Sequence, residues 1–126
     1  MMLLTKVQHA QLLENGRRQA TVKGTADEID FAPVVKLFNP CGGATWLLTE
    51  IDPDDETVAW SLCDLGMGFP ELGTVSLTEL SAYRGRFGLG IERDLHFKAQ
   101  GPISAYIAAA STAGRIVEQI GQRRDD

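Results

Sequence analysis

The sequence predicts an α+β domain: an antiparallel sheet of four to five strands packed by an N-terminal helix, a short middle helix and a longer C-terminal helix. Three observations lead to this fold class. Capping-box patterns begin at Thr5 and at Ser76, and each marks the start of a helix. Residues 44–51 and 57–65 alternate in the manner of strands and are joined by a charged turn. Near the end of the chain, apolar residues recur at helical spacing.

Length and composition limit the classes of protein to be considered. The chain has 126 residues, 44% of them hydrophobic and 23% charged, which suits one globular domain over residues 1–121 with a frayed tail over 122–126. A formal net charge of -5 argues against a surface that binds duplex nucleic acid. There is no apolar run of 18 residues, so we expect no membrane span. Without a secretory leader, Cys41 and Cys63 are expected to be reduced thiols in the cytoplasm.

The first helix has both a start and a stop in the sequence. Thr5 and Gln8 can exchange side-chain hydrogen bonds with each other's backbone amides, which begins the helix. Gly16 after Asn15 can take the left-handed conformation that ends one. We therefore expect the helix to stop there and residues 16–30 to form a loop or a short irregular strand.

The middle of the chain is expected to form strands over residues 34–38, 44–51 and 57–65. The second and third are joined by residues 52–56, whose Asp and Pro residues favour a tight turn in water. Large apolar side chains occupy both faces of this hairpin, as in Trp46 and Leu47. At least part of the hairpin is therefore expected to be covered on both sides.

The later elements follow a glycine-rich connection over residues 66–73. Ser76 and Glu79 are placed to cap a short helix that runs to about Arg84 and is closed by Gly85. Residues 92–99 alternate as a strand, and the last helix opens at Gly101-Pro102. Its apolar stripe consists of Ile103, Tyr106, Ile107, Ala110, Val117 and Ile120. We expect the core to include Trp46, Leu48, Trp60, Leu62, Leu95, Phe97, Ile103 and Ile107.

Acidic residues near strand ends are the candidates for catalysis. If their strands are neighbours, the side chains of Asp64, Glu71, Asp94 and His96, with Glu50 beside them, could converge. Hard oxygen ligands of this kind bind Mg²⁺ or Mn²⁺ and can organise phosphodiester cleavage. Polar residues at strand ends are also ordinary surface residues. We favour that explanation and expect no metal site. A zinc site would need both cysteines and both histidines together.

Two loops contain the candidate binding residues. Met67 and Phe69 lie among glycines in the connection after the third strand, where exposed apolar side chains can contact a partner. This loop lacks the Lys-Ser/Thr ending and the glycine spacing of nucleotide-binding loops, so we expect no cofactor. Arg84 and Arg86 lie beside Phe87, a mixture of charge and aromatic surface that single-stranded nucleic acid favours. Arginines are also common at helix ends, where they complement the helix dipole.

Several segments in order resemble a bacterial family catalogued as domain of unknown function 2958. They are residues 34–40 (VVKLFNP), 43–50 (GATWLLTE), 63–68 (CDLGMG), 70–73 (PELG) and 92–97 (ERDLHF). The resemblance implies a small stand-alone bacterial protein, often encoded on plasmids and other mobile elements. It implies no catalytic residues.

The functional expectation combines these points. We expect a small non-catalytic accessory or interaction protein of a bacterial mobile element. Its partner is expected to be another protein, with single-stranded nucleic acid as the alternative. The other reading is a metal-dependent nuclease or phosphodiesterase that uses the acidic residues and His96.

Overall fold

The computed structural model describes residues 3–120 and confirms the α+β class. The predicted tail over residues 122–126 lies outside the described residues. Five strands form one sheet in the order β4-β3-β2-β1-β5, and all neighbouring strands are antiparallel. In chain order the elements are α1 (Lys6–Ala20), β1 (Val35–Phe38), β2 (Thr45–Ile51), β3 (Val58–Asp64), β4 (Glu71–Ser76), α2 (Leu77–Ala82), β5 (Glu92–Arg93) and α3 (Ile103–Ala113).

The sheet is covered on both faces, as the apolar hairpin predicts. Leu47 and Leu48 are neighbours on β2, and both are fully buried, but they belong to different apolar clusters. Leu48 packs with residues of α1, whereas Leu47 packs with residues of α3. Successive side chains of a strand point to opposite faces, so α1 and α3 lie on opposite sides of the sheet. We call these the α1 face and the α3 face.

Helix α1 does not stop at Gly16, as the sequence indicated, but continues to Ala20. A Cβ atom at Gly16 would lie only 1.7 Å from the carbonyl oxygen of Ile51. The glycine is therefore required for close contact between α1 and the end of β2, and it does not serve as a helix stop. The predicted start is confirmed, since Thr5 and Gln8 form both bonds of the capping box.

Strand β4 was predicted as part of the glycine-rich connection and the approach to the middle helix. Its pairing with β3 places Gly73 opposite Ser61 and Val75 opposite Ala59. Ser76 is both the last residue of β4 and the N-cap of α2, and its hydroxyl accepts a hydrogen bond from the Glu79 amide. The middle helix ends at Ala82, two residues before the predicted end.

The predicted strand over residues 92–99 is wrong beyond Arg93. The Asp94 carboxylate accepts a hydrogen bond from the His96 amide, which turns the chain away from the sheet. As a result Leu95 is 71% exposed, although its alternation placed it in the core. Phe97 is half-buried, and its ring centroid lies 6.3 Å from that of Tyr106.

The last helix is shorter than its apolar stripe predicted. Gly114 takes a φ of 75° and ends α3, so Val117 and Ile120 lie beyond the helix. Ile120 is nevertheless buried in the cluster of the α3 face. Among the other expected core residues, Trp46, Leu48, Leu62 and Ile103 are buried, whereas Trp60 and Ile107 are only half-buried.

Candidate functional site

One end of the sheet holds the candidate binding residues. Three segments meet there: residues 39–44 between β1 and β2, residues 65–70 between β3 and β4, and residues 83–91 between α2 and β5. A Cβ atom at Gly66 would lie 3.4 Å from the Cα atom of Gly43, so the first two segments touch. The first and third touch where Asn39 donates to the Tyr83 hydroxyl at 3.4 Å. We call these three adjoining segments the loop end.

The loop end exposes large apolar side chains. Met67 is 70% exposed and Phe69 is 81% exposed, as the sequence predicted for this glycine-rich loop. Leu65 is 60% exposed in the same loop, and Phe87 on the third segment is 89% exposed. Gly66 and Gly68, with φ values of 80° and 89°, shape the loop in a conformation that other residues rarely adopt.

The backbone of Phe87 is strained. Its φ of 58° is the only positive value at a non-glycine residue within the described part of the chain. A bulky residue in this region costs free energy, and such residues cluster at functional sites. The motif Arg84-Gly85-Arg86-Phe87 placed two cations beside an aromatic residue, but no sequence signal showed the strain.

The two candidate arginines differ in their surroundings. Arg84 donates from Nη1 to the carbonyl oxygens of Ser81 at 3.0 Å and of Tyr83 at 2.6 Å. It therefore satisfies carbonyls at the end of α2, which is the structural role of a helix-terminal cation. Arg86 is exposed, and its carbonyl oxygen lies 3.9 Å from the Cys41 thiol.

The structure does not bring the four candidate catalytic residues together. Asp64 faces the α3 side, whereas Glu71 pairs with Cys63 and faces the α1 side at the β4 edge. Asp94 lies beside Lys36 at 3.5 Å, next to the opposite edge of the sheet. Its position is three strand spacings from Asp64, roughly 14 Å. The exposed His96 follows Asp94 in the turn after β5.

Asp64 has a structural role. It is 4% exposed, and its two carboxylate oxygens accept hydrogen bonds from the backbone amides of Gly66 at 2.8 Å and Ile116 at 2.9 Å. Charge-assisted bonds of this kind are strong. The carboxylate thus fastens the loop after β3 to the segment after α3.

Metal binding has no support in the part of the chain that the structure describes. Across residues 3–120, no three His, Cys, Asp or Glu side chains are grouped so that they could hold a metal ion. The two cysteines are free thiols, Cys41 exposed and Cys63 half-buried. Burial raises the pKa of the Cys63 thiol, which favours the protonated form over the thiolate that binds metals.

Comparison with known proteins places the chain in a family. None of the helices within residues 3–120 has both the length and the hydropathy of a membrane-spanning segment. Neither the curated proteins nor the solved structures contain a match to this chain. A family model described as "Protein of unknown function (DUF2958)" matches residues 3–117. This match covers most of the chain, which therefore belongs to that family.

Proposed function

We propose that this protein is a non-catalytic interaction protein that binds another protein through its loop end. One observation carries the proposal: Leu65, Met67, Phe69 and Phe87 are between 60% and 89% exposed, on two segments of the loop end that both contact residues 39–44. Fully burying such a side chain is worth roughly 1.5–3 kcal/mol. Burial of these four side chains by a partner would therefore stabilise the complex by a large part of this free energy.

The backbone beneath these side chains favours a surface formed in advance. Asp64 holds the Gly66 amide, and Gly43 packs against Gly66. Phe87 has a costly backbone conformation and is 89% exposed. A surface that is already ordered loses little entropy on binding.

A protein suits this surface better than a nucleic acid. Met and aromatic side chains are enriched in protein interfaces. The net charge of -5 opposes binding to phosphates, and Arg84 already contacts two backbone carbonyls. Single-stranded nucleic acid on Arg86 and Phe87 is the alternative partner.

The proposed setting is the bacterial cytoplasm, as an accessory protein of a plasmid or other mobile element. The resemblance noted above supports the mobile element. Two free thiols, Cys41 and Cys63, are consistent with a reducing compartment.

Photo-crosslinking in the native host tests the proposal. A photoreactive phenylalanine derivative replaces Phe69 or Phe87, and the same derivative at Leu95 serves as the control. Leu95 is 71% exposed but lies outside the loop end. We expect one protein to be crosslinked from positions 69 and 87 and not from 95.

The partner identified in this way is then purified for binding measurements. Met67→Ala with Phe69→Ala should weaken its affinity at least tenfold, whereas Leu95→Ala should leave it unchanged. Equal crosslinking from all three positions, or crosslinking to nucleic acid alone, would contradict a protein-binding loop end.

The nuclease alternative has its own assay. Wild type and the Asp94→Asn, His96→Ala double variant are incubated with single- and double-stranded DNA and RNA in the presence of Mg²⁺ or Mn²⁺. We expect no cleavage by either protein. Cleavage by wild type that disappears in the double variant would replace the interaction protein with a metal-dependent enzyme.

A further inference from the structure

A cleft lies at the other end of the sheet, on the α3 face. It consists of two adjoining cavities of about 500 and 330 Å³. Both are lined by Gln19, Lys23, Glu50 and Trp60. Glu50 on β2 and Trp60 on β3 are direct cross-strand partners, so they present their side chains to the cleft from the same sheet face. We call this site the Glu50 cleft.

Glu50 is a buried carboxyl group at the junction of the two cavities. The residue is only 7% exposed, and burial raises the pKa of its carboxyl above the ordinary value of 4.5. The positive charge of Lys23 and hydrogen bonding with Gln19 and Thr49 lower that pKa but do not offset the burial. A buried carboxyl with a cationic neighbour in a cleft is typical of a binding site.

An ammonium group of the chain itself already occupies the cleft. The Lys23 Nζ atom lies 3.7 Å from the centroid of the Trp60 ring, in cation–π contact. Lys23 is an exposed residue in the turns that follow α1, so its side chain reaches the cleft from outside the core. In the free protein the Trp60 ring therefore contacts a cation, whose charge also acts on the Glu50 carboxyl.

The rim of the cleft is strongly acidic. Among the residues of the described chain that line it, Lys23 is the only basic one. The acidic residues that line one or both cavities are Glu28, Asp30, Glu50, Asp52 and Asp54. The cleft therefore attracts more positive charge than Lys23 supplies.

We propose that the Glu50 cleft binds the primary ammonium groups of a flexible, multiply charged chain. In the free protein the Lys23 ammonium occupies the position of one such group. Glu50 accepts the hydrogen bonds of the entering ammonium, and the Trp60 ring covers it in place of Lys23. The acidic rim binds the further charges of the ligand. Two sources offer this chemistry: lysine side chains of a basic peptide, and a linear polyamine. The proposal is independent of the loop end.

Two probes distinguish the sources. Wild type is titrated with spermidine and with an end-capped tetralysine peptide at constant ionic strength, by calorimetry and by tryptophan fluorescence. Trp46 is buried, so the fluorescence change reports mainly on the half-buried Trp60. Binding of spermidine alone indicates a polyamine, and binding of the peptide alone indicates a basic protein segment.

Charge-matched variants separate the cleft from general electrostatics. Glu50→Gln should weaken binding at least tenfold, whereas Glu14→Gln, at an exposed position on α1 outside the cleft, should not. Lys23→Gln should bind severalfold tighter than wild type because it removes the internal competitor. Lys6→Gln removes the same charge at a distant exposed position and should bind like wild type.

The gain of affinity keeps the test decisive even if Glu50→Gln folds poorly, since misfolding does not strengthen binding. The proposal is overturned if Lys23→Gln binds neither probe. It is also overturned if Lys6→Gln tightens binding as much as Lys23→Gln does, or if Glu14→Gln weakens it as much as Glu50→Gln.

Discussion

At the scale of single residues, Glu50 makes stability depend on pH. Its pKa is raised in the folded protein, chiefly by burial, so folding favours the protonated form. The stability it contributes is present at pH values below the ordinary 4.5 and is lost as the pH rises through the raised pKa. Glu50→Gln should therefore melt at a higher temperature than wild type at pH 7, and the difference should shrink toward pH 4.

Thermal unfolding across this pH range measures the effect, with Glu14→Gln as the exposed control. A lower melting temperature for Glu50→Gln at pH 7 would show that attraction to Lys23 outweighs burial. Together with the binding proposal, the expected result means that a ligand site is kept at a cost in stability.

Asp64 is expected to matter for folding and not for chemistry. Asp64→Asn keeps the volume but replaces one of two acceptor oxygens by a donor, which faces the amide of Gly66 or Ile116. Losing one bond to a charged group costs about 1.5–3 kcal/mol. Urea denaturation should show a loss of that size. Asp27→Asn, an exposed change of the same kind, should stay within about 0.5 kcal/mol of wild type.

Phe87 should show opposite effects on stability and binding. Phe87→Gly removes a bulky residue from a φ of 58°, a conformation that costs non-glycine residues about 1–2 kcal/mol. We expect the variant to unfold at a higher temperature and to bind the partner of the loop end more weakly. Phe69→Gly, at a position without positive φ, should weaken binding without stabilising the protein. Destabilisation by Phe87→Gly would show that the strain is absent.

The sequence indicated some of these residues and not others. Exposed Met67 and Phe69 followed from glycines that surround them locally. The role of Asp64 did not, because its partner Ile116 is 52 residues away and lies beyond a helix end that the sequence placed too late. The Glu50 cleft was missed because Lys23 reaches Trp60 only through the tertiary fold.

At the scale of elements, α1 and β2 depend on a glycine inside a helix. Alanine usually stabilises a helix interior by about 1 kcal/mol relative to glycine. At Gly16 the added Cβ would lie 1.7 Å from the Ile51 carbonyl oxygen, and backbone must move to admit it. Gly16→Ala should therefore destabilise the protein by about 1–3 kcal/mol or more.

Chemical denaturation of Gly16→Ala and of Glu14→Ala, an exposed change on the same helix, provides the comparison. Glu14→Ala should be close to neutral. A stabilised Gly16→Ala protein would show that α1 and β2 do not approach as closely as described.

Elements with local signals were predicted, and elements defined by distant partners were not. The caps at Thr5 and Ser76 involve residues three positions apart, and both starts are confirmed. Strand β4 forms because its residues pair with β3, and no local sequence pattern shows this pairing. After Arg93 the alternation favoured a strand, and the Asp94 amide still donates to Lys36 of β1, but the bond from the His96 amide to the Asp94 carboxylate then turns the chain away.

At the scale of the whole molecule, one sheet supports two apolar clusters, and the molecule should unfold as a unit. Leu47→Ala and Leu48→Ala remove fully buried side chains from opposite faces. Each should cost about 2–5 kcal/mol, because both clusters share the same strands. Calorimetry should show a single transition for both variants. A second transition in Leu47→Ala alone would mean that α3 detaches independently.

The fold class followed from composition, caps and alternation, but the strand order did not. Apolar residues on both faces of β2 predicted a covered sheet, which the positions of α1 and α3 confirm. Which strands are neighbours depends on contacts between segments far apart in sequence, such as Phe38 with Glu92. The sequence therefore did not predict that Glu71 and Asp94 lie near opposite edges of the sheet.

The Asp64 carboxylate links two amide protons that lie far apart along the chain. One belongs to Gly66 in the loop end and the other to Ile116 beyond α3. Backbone amides exchange their protons with solvent only when such bonds open. A partner that binds the loop end and reduces its motion would hold the carboxylate in place. Deuterium uptake would then be slower at both amides. Slower exchange at the Ile116 amide would therefore indicate binding at the loop end, although Ile116 lies outside it.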